Sequence, residues 1–203
     1  MSATRKHAKV GWALVAAGLL TGGLAACSSD DADDATVVGR ASLIDDTGRS
    51  VGTATFTRNG DGPIVGRVAL TLPTDSPEFH GLHLHANADR TGCQTGTGFT
   101  AVGGHWDTGG HAHGSHTGDL PSVTRRADGE GEAVFTVDKF KAADIVGKAV
   151  IVHAGPDNFA NVPRGTEPNT YTDNGEAYDG AGGTAATGNA GARYACGVIA
   201  AAS

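Results

Sequence analysis

The chain is short of cysteine, of basic clusters and of anything with a helical period. Its 203 residues hold three cysteines against nine histidines, and none of the cysteines lies among the histidine-bearing motifs, which excludes an iron–sulfur cluster or a cysteine-rich zinc site. No run of lysine and arginine is present, and the formal charge is −7. Proteins that hold nucleic acid neutralise phosphates with clustered cations, so that class of partner is excluded. The one extended apolar run, VGWALVAAGLL at residues 10–20, is shorter than the roughly 20 residues a membrane-spanning helix needs.

That apolar run follows Arg5, Lys6 and Lys9 and ends in small residues, the order of a secretory signal peptide over residues 1–26. The sequence LAAC that ends at Cys27 resembles a bacterial lipobox and implies cleavage before Cys27 and lipidation of its thiol. Loss of residues 1–26 removes three cations and no acid, which takes the charge from −7 to −10. Residues 27–36, CSSDDADDAT, have no apolar side chain larger than alanine and read as an acidic, solvated tether. The expected location is therefore the extracytoplasmic face of the cell membrane, held by a lipid anchor. One domain is expected over residues 37–203, long enough to bury its own core. It retains two cysteines, Cys93 and Cys196, which in an exported protein are expected to form a disulfide.

What the sequence does contain is short alternating stretches between Gly, Asp, Asn and Pro, the pattern of an all-β fold. In GRVALTLP, Val68, Leu70 and Leu72 share one face and Arg67, Ala69 and Thr71 the other, as a two-residue period requires. Further strands are expected in ATFT, LHLHA, AVFTV, KAVIVHA and ACGVIA, with turns in DDTGR and RNGDG. Two long stretches lack strand character, the His-rich run 103–121 and the Gly-rich run from Pro156 to Ala192. Loops of that length in a compact domain are commonly functional.

In HGLHLHA the strand period sets His83 and His85 on one face, opposite Leu82 and Leu84. Two imidazoles at i and i+2 on a rigid backbone suit two ligands of one metal ion. His80 has no such partner and reads as a turn or surface histidine. His153 closes the apolar strand KAVIVH, on the face of Ala149 and Ile151. The run GGHWDTGGHAHGSHTGDLP adds His105, His111, His113, His116 and Asp119, the imidazole and carboxylate donors that zinc and copper favour.

Five motifs in one order, GLHLHA, GGHWD, HGSHTGDLP, VIVHAGPDNF and GARYACGVI, resemble the bacterial-type copper/zinc superoxide dismutases from about Val37 to Ile199. The resemblance implies a Greek-key β-sandwich or flattened barrel of immunoglobulin-like architecture with two long functional loops. It implies copper on His83, His85, His105 and His153, and zinc on His105, His113, His116 and Asp119, with the His105 ring bridging the two. It makes His105 and Arg193 catalytic, the latter by drawing the superoxide anion to copper. It gives Asp157 the role of a carboxylate that hydrogen-bonds ligands of both metals, and gives the Cys93–Cys196 bond that of anchoring a loop beside Arg193. One zinc place has two histidines to fill it, His111 and His113, and the resemblance puts His113 there. The alternative reading is a copper-only or non-catalytic relative with a vacant zinc site. The insert at 164–191 has no assigned role, and the oligomeric state is open between monomer and homodimer.

Overall fold

Eight antiparallel strands close into a barrel: β1 (Ala35–Asp45), β2 (Ser50–Asn59), β3 (Ile64–Thr71), β4 (Phe79–His85), β5 (Asp119–Arg125), β6 (Glu130–Val137), β7 (Ala149–His153) and β8 (Arg193–Val198). The computed structural model describes residues 35–160 and 184–202; the signal peptide, Cys27, the tether up to residue 34 and most of the 164–191 insert lie outside the described residues. Around the barrel the order is β1-β2-β3-β6-β5-β4-β7-β8. The steps from β3 to β6 and from β4 to β7 are the non-sequential crossings of a Greek key, and the all-β Greek-key expectation holds in its barrel form. Closure comes from β1 and β8, where Ile44 faces Cys196 and Asp45 faces Ala195.

The period of two builds the interior. In β3 every residue of the Ile64, Gly66, Val68, Leu70 set is buried, while Val65, Arg67 and Thr71 are exposed. Phe56, Leu82, Leu84, Val150, Val152 and Ala195 fill the same core, each large side chain adding about 1.5–3 kcal/mol by leaving water. The β1–β2 turn is DDTGR, as its chemistry predicts: Asp45 Oδ1 accepts the backbone N–H groups of Thr47 and Arg49, both at 3.0 Å, and Gly48 takes a φ of 87° that favours glycine. Two strands begin where the sequence reads otherwise. β1 begins at Ala35, so Ala35 and Thr36, which composition places in the tether, pair with Asn59 and Arg58. β5 begins at Asp119, inside the run that reads as a His-rich loop.

A second, smaller core lies outside the barrel wall. Ala149 and Ile151 project outward from β7 and pack with Phe99, Val102 and Cys196, with Cys93 at the edge. The loop from residue 86 to residue 104 lies over this patch, and the expected disulfide between Cys93 and Cys196 forms, with Cα atoms 5.7 Å apart. The outer face of β4 and β7 is thereby kept from water, and that face bears the histidines.

Candidate metal centre

Adjacent strands bring the first three histidines together. β4 pairs with β7 so that Leu82 faces Val152 and His83 faces Ile151; the leucines turn inward, and His83, His85 and His153 turn outward under the loops, no more than 5% exposed. His105 arrives by a short backbone pairing with the end of β4, in which Trp106 N donates to Leu84 O at 2.7 Å and Ala86 N to Gly104 O at 3.0 Å. The candidate donor atoms of His83, His85, His105 and His153 all fall within 4.8 Å of one another.

One nitrogen of each of the three strand histidines is already committed. His83 Nε2 lies 2.8 Å from Asp157 Oδ2, His85 Nδ1 2.8 Å from Gly103 O, and His153 Nδ1 3.0 Å from Gly191 O. These partners only accept, so each committed nitrogen carries the proton, a tautomer assigned from the bonding. The other nitrogens, His83 Nδ1, His85 Nε2 and His153 Nε2, are buried and have no hydrogen-bond partner among the described residues. Three buried lone pairs converging on one space are costly unless a cation takes them. Burial holds all three imidazoles neutral: His83 and His85 are pushed well below the usual histidine range and His153 down to about 4, with the neighbouring histidines adding to the effect. Neutral imidazole is the form that binds metal.

The second group gathers on the far side of the His105 ring. His105 Nδ1 is 2.9 Å from Asp119 Oδ1, His116 Nδ1 is 3.2 Å from the same oxygen, and the two Nδ1 atoms are 3.3 Å apart. Asp119 Oδ2 accepts the N–H groups of Gly114 and His116 at 2.7 and 2.9 Å, which fixes the carboxylate in the turn. Gly114, at a φ of 87°, gives that turn its tight path. His113 is buried beside them and sets Nε2 3.0 Å from Asp157 Oδ1, so Asp157 holds one histidine of each group. Burial works to lower His113, but the bond and charge of Asp157, with Asp119, outweigh it and raise its pKa. Burial alone would raise Asp119; the bond from His105 and the charges of His113 and His83 bring it well below the usual carboxylate range. His83, His105, His113 and Asp119 form the second set of donors within 4.8 Å of one another.

The family model described as copper/zinc superoxide dismutase matches residues 50–199, most of the chain. The chain belongs to the copper/zinc superoxide dismutase family. It is 38% identical over 149 residues to a Cu-Zn superoxide dismutase of Mycolicibacterium paratuberculosis, covering 66% of this chain and 63% of that protein. With the corresponding protein of Deinococcus radiodurans it shares 34% over 166 residues, covering 72% and 87%. The chain thus spans less than two thirds of the Mycolicibacterium relative and 54% of that of Mycobacterium tuberculosis. Among solved structures, the clock protein EA4 superposes with a TM-score of 0.57 at 25% identity, over 81% of this chain and 94% of that one. A double mutant of a SOD-like protein from Bacillus subtilis superposes at 0.55 and 22% identity, over 79% and 96%, and speaks to the fold alone.

Other residues around the two groups also have defined places. Arg193 donates from Nη1 to Phe99 O at 2.6 Å and from Nη2 to Gly103 O at 2.7 Å. Gly103 O is the carbonyl that also receives His85 Nδ1, so the guanidinium sits beside the first group. His111 stands outside both groups: its side chain is 51% exposed and Nδ1 lies 2.8 Å from Asp107 Oδ1. His80 differs from expectation. It is buried, 1% exposed, with Nδ1 2.7 Å from His153 O and Nε2 2.9 Å from Pro77 O. Its even number was the available signal, since it shares parity with Leu82 and Leu84. Asp46 was not anticipated either. From the β1–β2 turn its Oδ1 accepts the N–H groups of Thr97 and Gly98, at 3.2 and 3.1 Å, one residue ahead of the carbonyl that Arg193 grips. No sequence pattern marks such a residue.

Proposed function

We propose that this protein dismutates superoxide to dioxygen and hydrogen peroxide, with copper on His83 Nδ1, His85 Nε2, His153 Nε2 and His105 Nε2, and zinc on the Nδ1 atoms of His105, His113 and His116 and on Asp119. The observation that carries this reading is the position of His105. Its Nδ1 is committed to the carboxylate group of donors on one side, which leaves Nε2 for the three buried lone pairs on the other. Bound copper supplies a one-electron couple, and zinc, which has none, supplies a fixed positive charge.

The chain's own residues then have separable tasks. Two superoxide ions and two protons give one dioxygen and one peroxide, so the site needs a proton source at the reacting end. His105 fills it: Nε2 can take a proton when it is not engaged by copper and release it again, while Asp119, beside Nδ1, keeps the ring in place. Asp157 holds the rings of His83 and His113 by their Nε2 atoms, which fixes orientation in both groups. Arg193 attracts the anion. Residues 37–203 carry a net charge of −6, but exposed charges are screened over about 8 Å at physiological salt, so one guanidinium near the opening outweighs distant acids.

The same reading places the protein outside the cytoplasm, with residues 1–26 removed and Cys27 lipidated. The Cys93–Cys196 disulfide supports it, because such bonds persist in oxidising compartments. Metal content and superoxide consumption of protein purified from the exported fraction test the function. About one copper and one zinc per chain with fast turnover is the expected outcome. Copper alone with activity would point to a copper-only enzyme, and inactivity after copper loading would overturn the enzymatic reading. A Cys27→Ser variant recovered in the soluble exported fraction, with wild type in the membrane fraction, is the outcome expected of the anchor.

A further inference from the structure

We propose that Lys139 is a positioning residue for the zinc half of the site, clamping from outside the turn that presents two of its ligands. The inference rests on the metal assignment above. Lys139 lies just after β6, and its Nζ donates to His116 O at 3.2 Å and to Asp119 O at 2.7 Å. Those are the first and last residues of one four-residue turn, and their side chains supply the Nδ1 and Oδ1 atoms that face His105.

The turn has bonds of its own, Asp119 N to His116 O at 3.2 Å and His116 N to Asp119 Oδ2 at 2.9 Å. These hold the carboxylate against the turn's own amides. The ammonium does something different: it ties both ends of the turn to the segment that follows β6, so the separation of the two ligand residues is set by a fixed point on the barrel. A bond from a charged donor is shorter and roughly twice as strong as a neutral one, which suits a single side chain that must hold two carbonyls. Three of the four copper histidines receive their support elsewhere, from Gly103, Gly191 and Asp157, and only His105 meets the turn, through Asp119. Lys139 therefore acts chiefly on zinc, two of whose ligands it holds directly.

The residue itself is exposed, and its aliphatic stem lines a surface cavity with Leu120, Pro121, Val137 and Phe159. Lys139→Met keeps that stem and removes the donor; Lys139→Arg keeps charge and donors. In the full exported protein, zinc affinity is measured by chelator competition, with cobalt(II) as a spectroscopic probe of the zinc ligands, and copper affinity is measured in the same samples. Lys139→Met is expected to weaken zinc about 10- to 100-fold, the usual effect of losing an outer partner of a metal ligand, and to alter the cobalt spectrum. Copper affinity is expected to stay within about twofold, and Lys139→Arg to recover most of the loss. Unchanged zinc affinity in Lys139→Met would overturn the proposal, as would zinc and copper falling together, which would indicate general loosening. Wild-type protein that takes up no zinc would instead refute the metal assignment, and this inference with it.

Discussion

The metal-free protein should lose stability as the pH falls from 7 towards 4, and the loss can be sized from one residue. Burial, the neighbouring His105 and Arg193 hold the His153 imidazole at about 4, against an ordinary value of 6.5. Its Nδ1 is bonded to Gly191 O and its Nε2 has no partner among the described residues, so a second proton would place an unsolvated charge near the Arg193 guanidinium. The unfolded chain accepts that proton near pH 6.5 and the folded one resists it until about 4. Between those values the unfolded state binds more protons, so stability rises with pH: it is complete above 6.5 and lost as the pH falls towards 4. At about 1.4 kcal/mol per pKa unit, this single group is worth roughly 3 kcal/mol, a large share of the 5–15 kcal/mol that holds a typical domain. His83 and His85 push the same way but share the cavity, so their contributions do not simply add. His113 opposes them: its raised value adds stability below the ordinary histidine range that is lost as the pH rises through the folded value. Denaturant unfolding of metal-free, disulfide-intact protein at several pH values measures the balance. Trp106 can report it, because the only other tryptophan, Trp12, lies in the segment proposed to be removed on export. A midpoint that is flat or rises between pH 7 and 4.5 would refute the reasoning, and His153→Leu should flatten the slope.

Asp157→Asn should weaken copper and zinc together, by about 10- to 100-fold each, because one carboxylate holds His83 and His113; calorimetric titration that shows only one metal affected would contradict the shared role. His116→Ala should lose zinc before copper while His111→Ala keeps a full zinc complement, as its contact with Asp107 outside both groups implies; elemental analysis after dialysis decides. Arg193→Glu should slow superoxide consumption and change its dependence on salt with metal content unchanged, and an unaltered rate would remove the steering role.

The parts of the fold that were legible are those where the two-residue period is clean. GRVALTLP declares its buried face because that face meets only apolar neighbours, whereas KAVIVH shows instead a continuous apolar run, because Ala149 and Ile151 are covered by the second core. β5 shows neither, since it opens with Asp119, carries Pro121 and ends with Arg125; its first residue serves the site and its pattern is spoiled for that reason. His80 lacks a partner histidine and so reads as a turn or surface residue, yet its place in the alternation is with Leu82 and Leu84 and it is buried with them. In the site, the donors that bear side chains could be read from their motifs. Of the groups that orient them only Asp157 could, because Gly103 O and Gly191 O are backbone atoms brought within reach only by the loops.

That division follows from where the barrel puts its histidines. The interior is closed to them, filled by Leu82, Leu84, Val150 and Val152, so β4 and β7 display His83, His85 and His153 on the outer wall, where bare strands would leave them solvated. Dry, neutral imidazoles need a cover, and the segment from residue 86 to residue 118 supplies it while contributing His105, His113 and His116 from within. The disulfide, the Asp46 contacts and the Arg193 grip on Phe99 O all act on that one segment. Loosening the cover should therefore hydrate the three strand histidines and raise their pKa values before it disturbs the barrel core. Reduction of the Cys93–Cys196 bond in metal-free protein, followed by NMR titration of the imidazoles, is expected to show that rise with the core resonances unmoved. A simultaneous loss of both would mean that the cover and the barrel stand or fall as one unit.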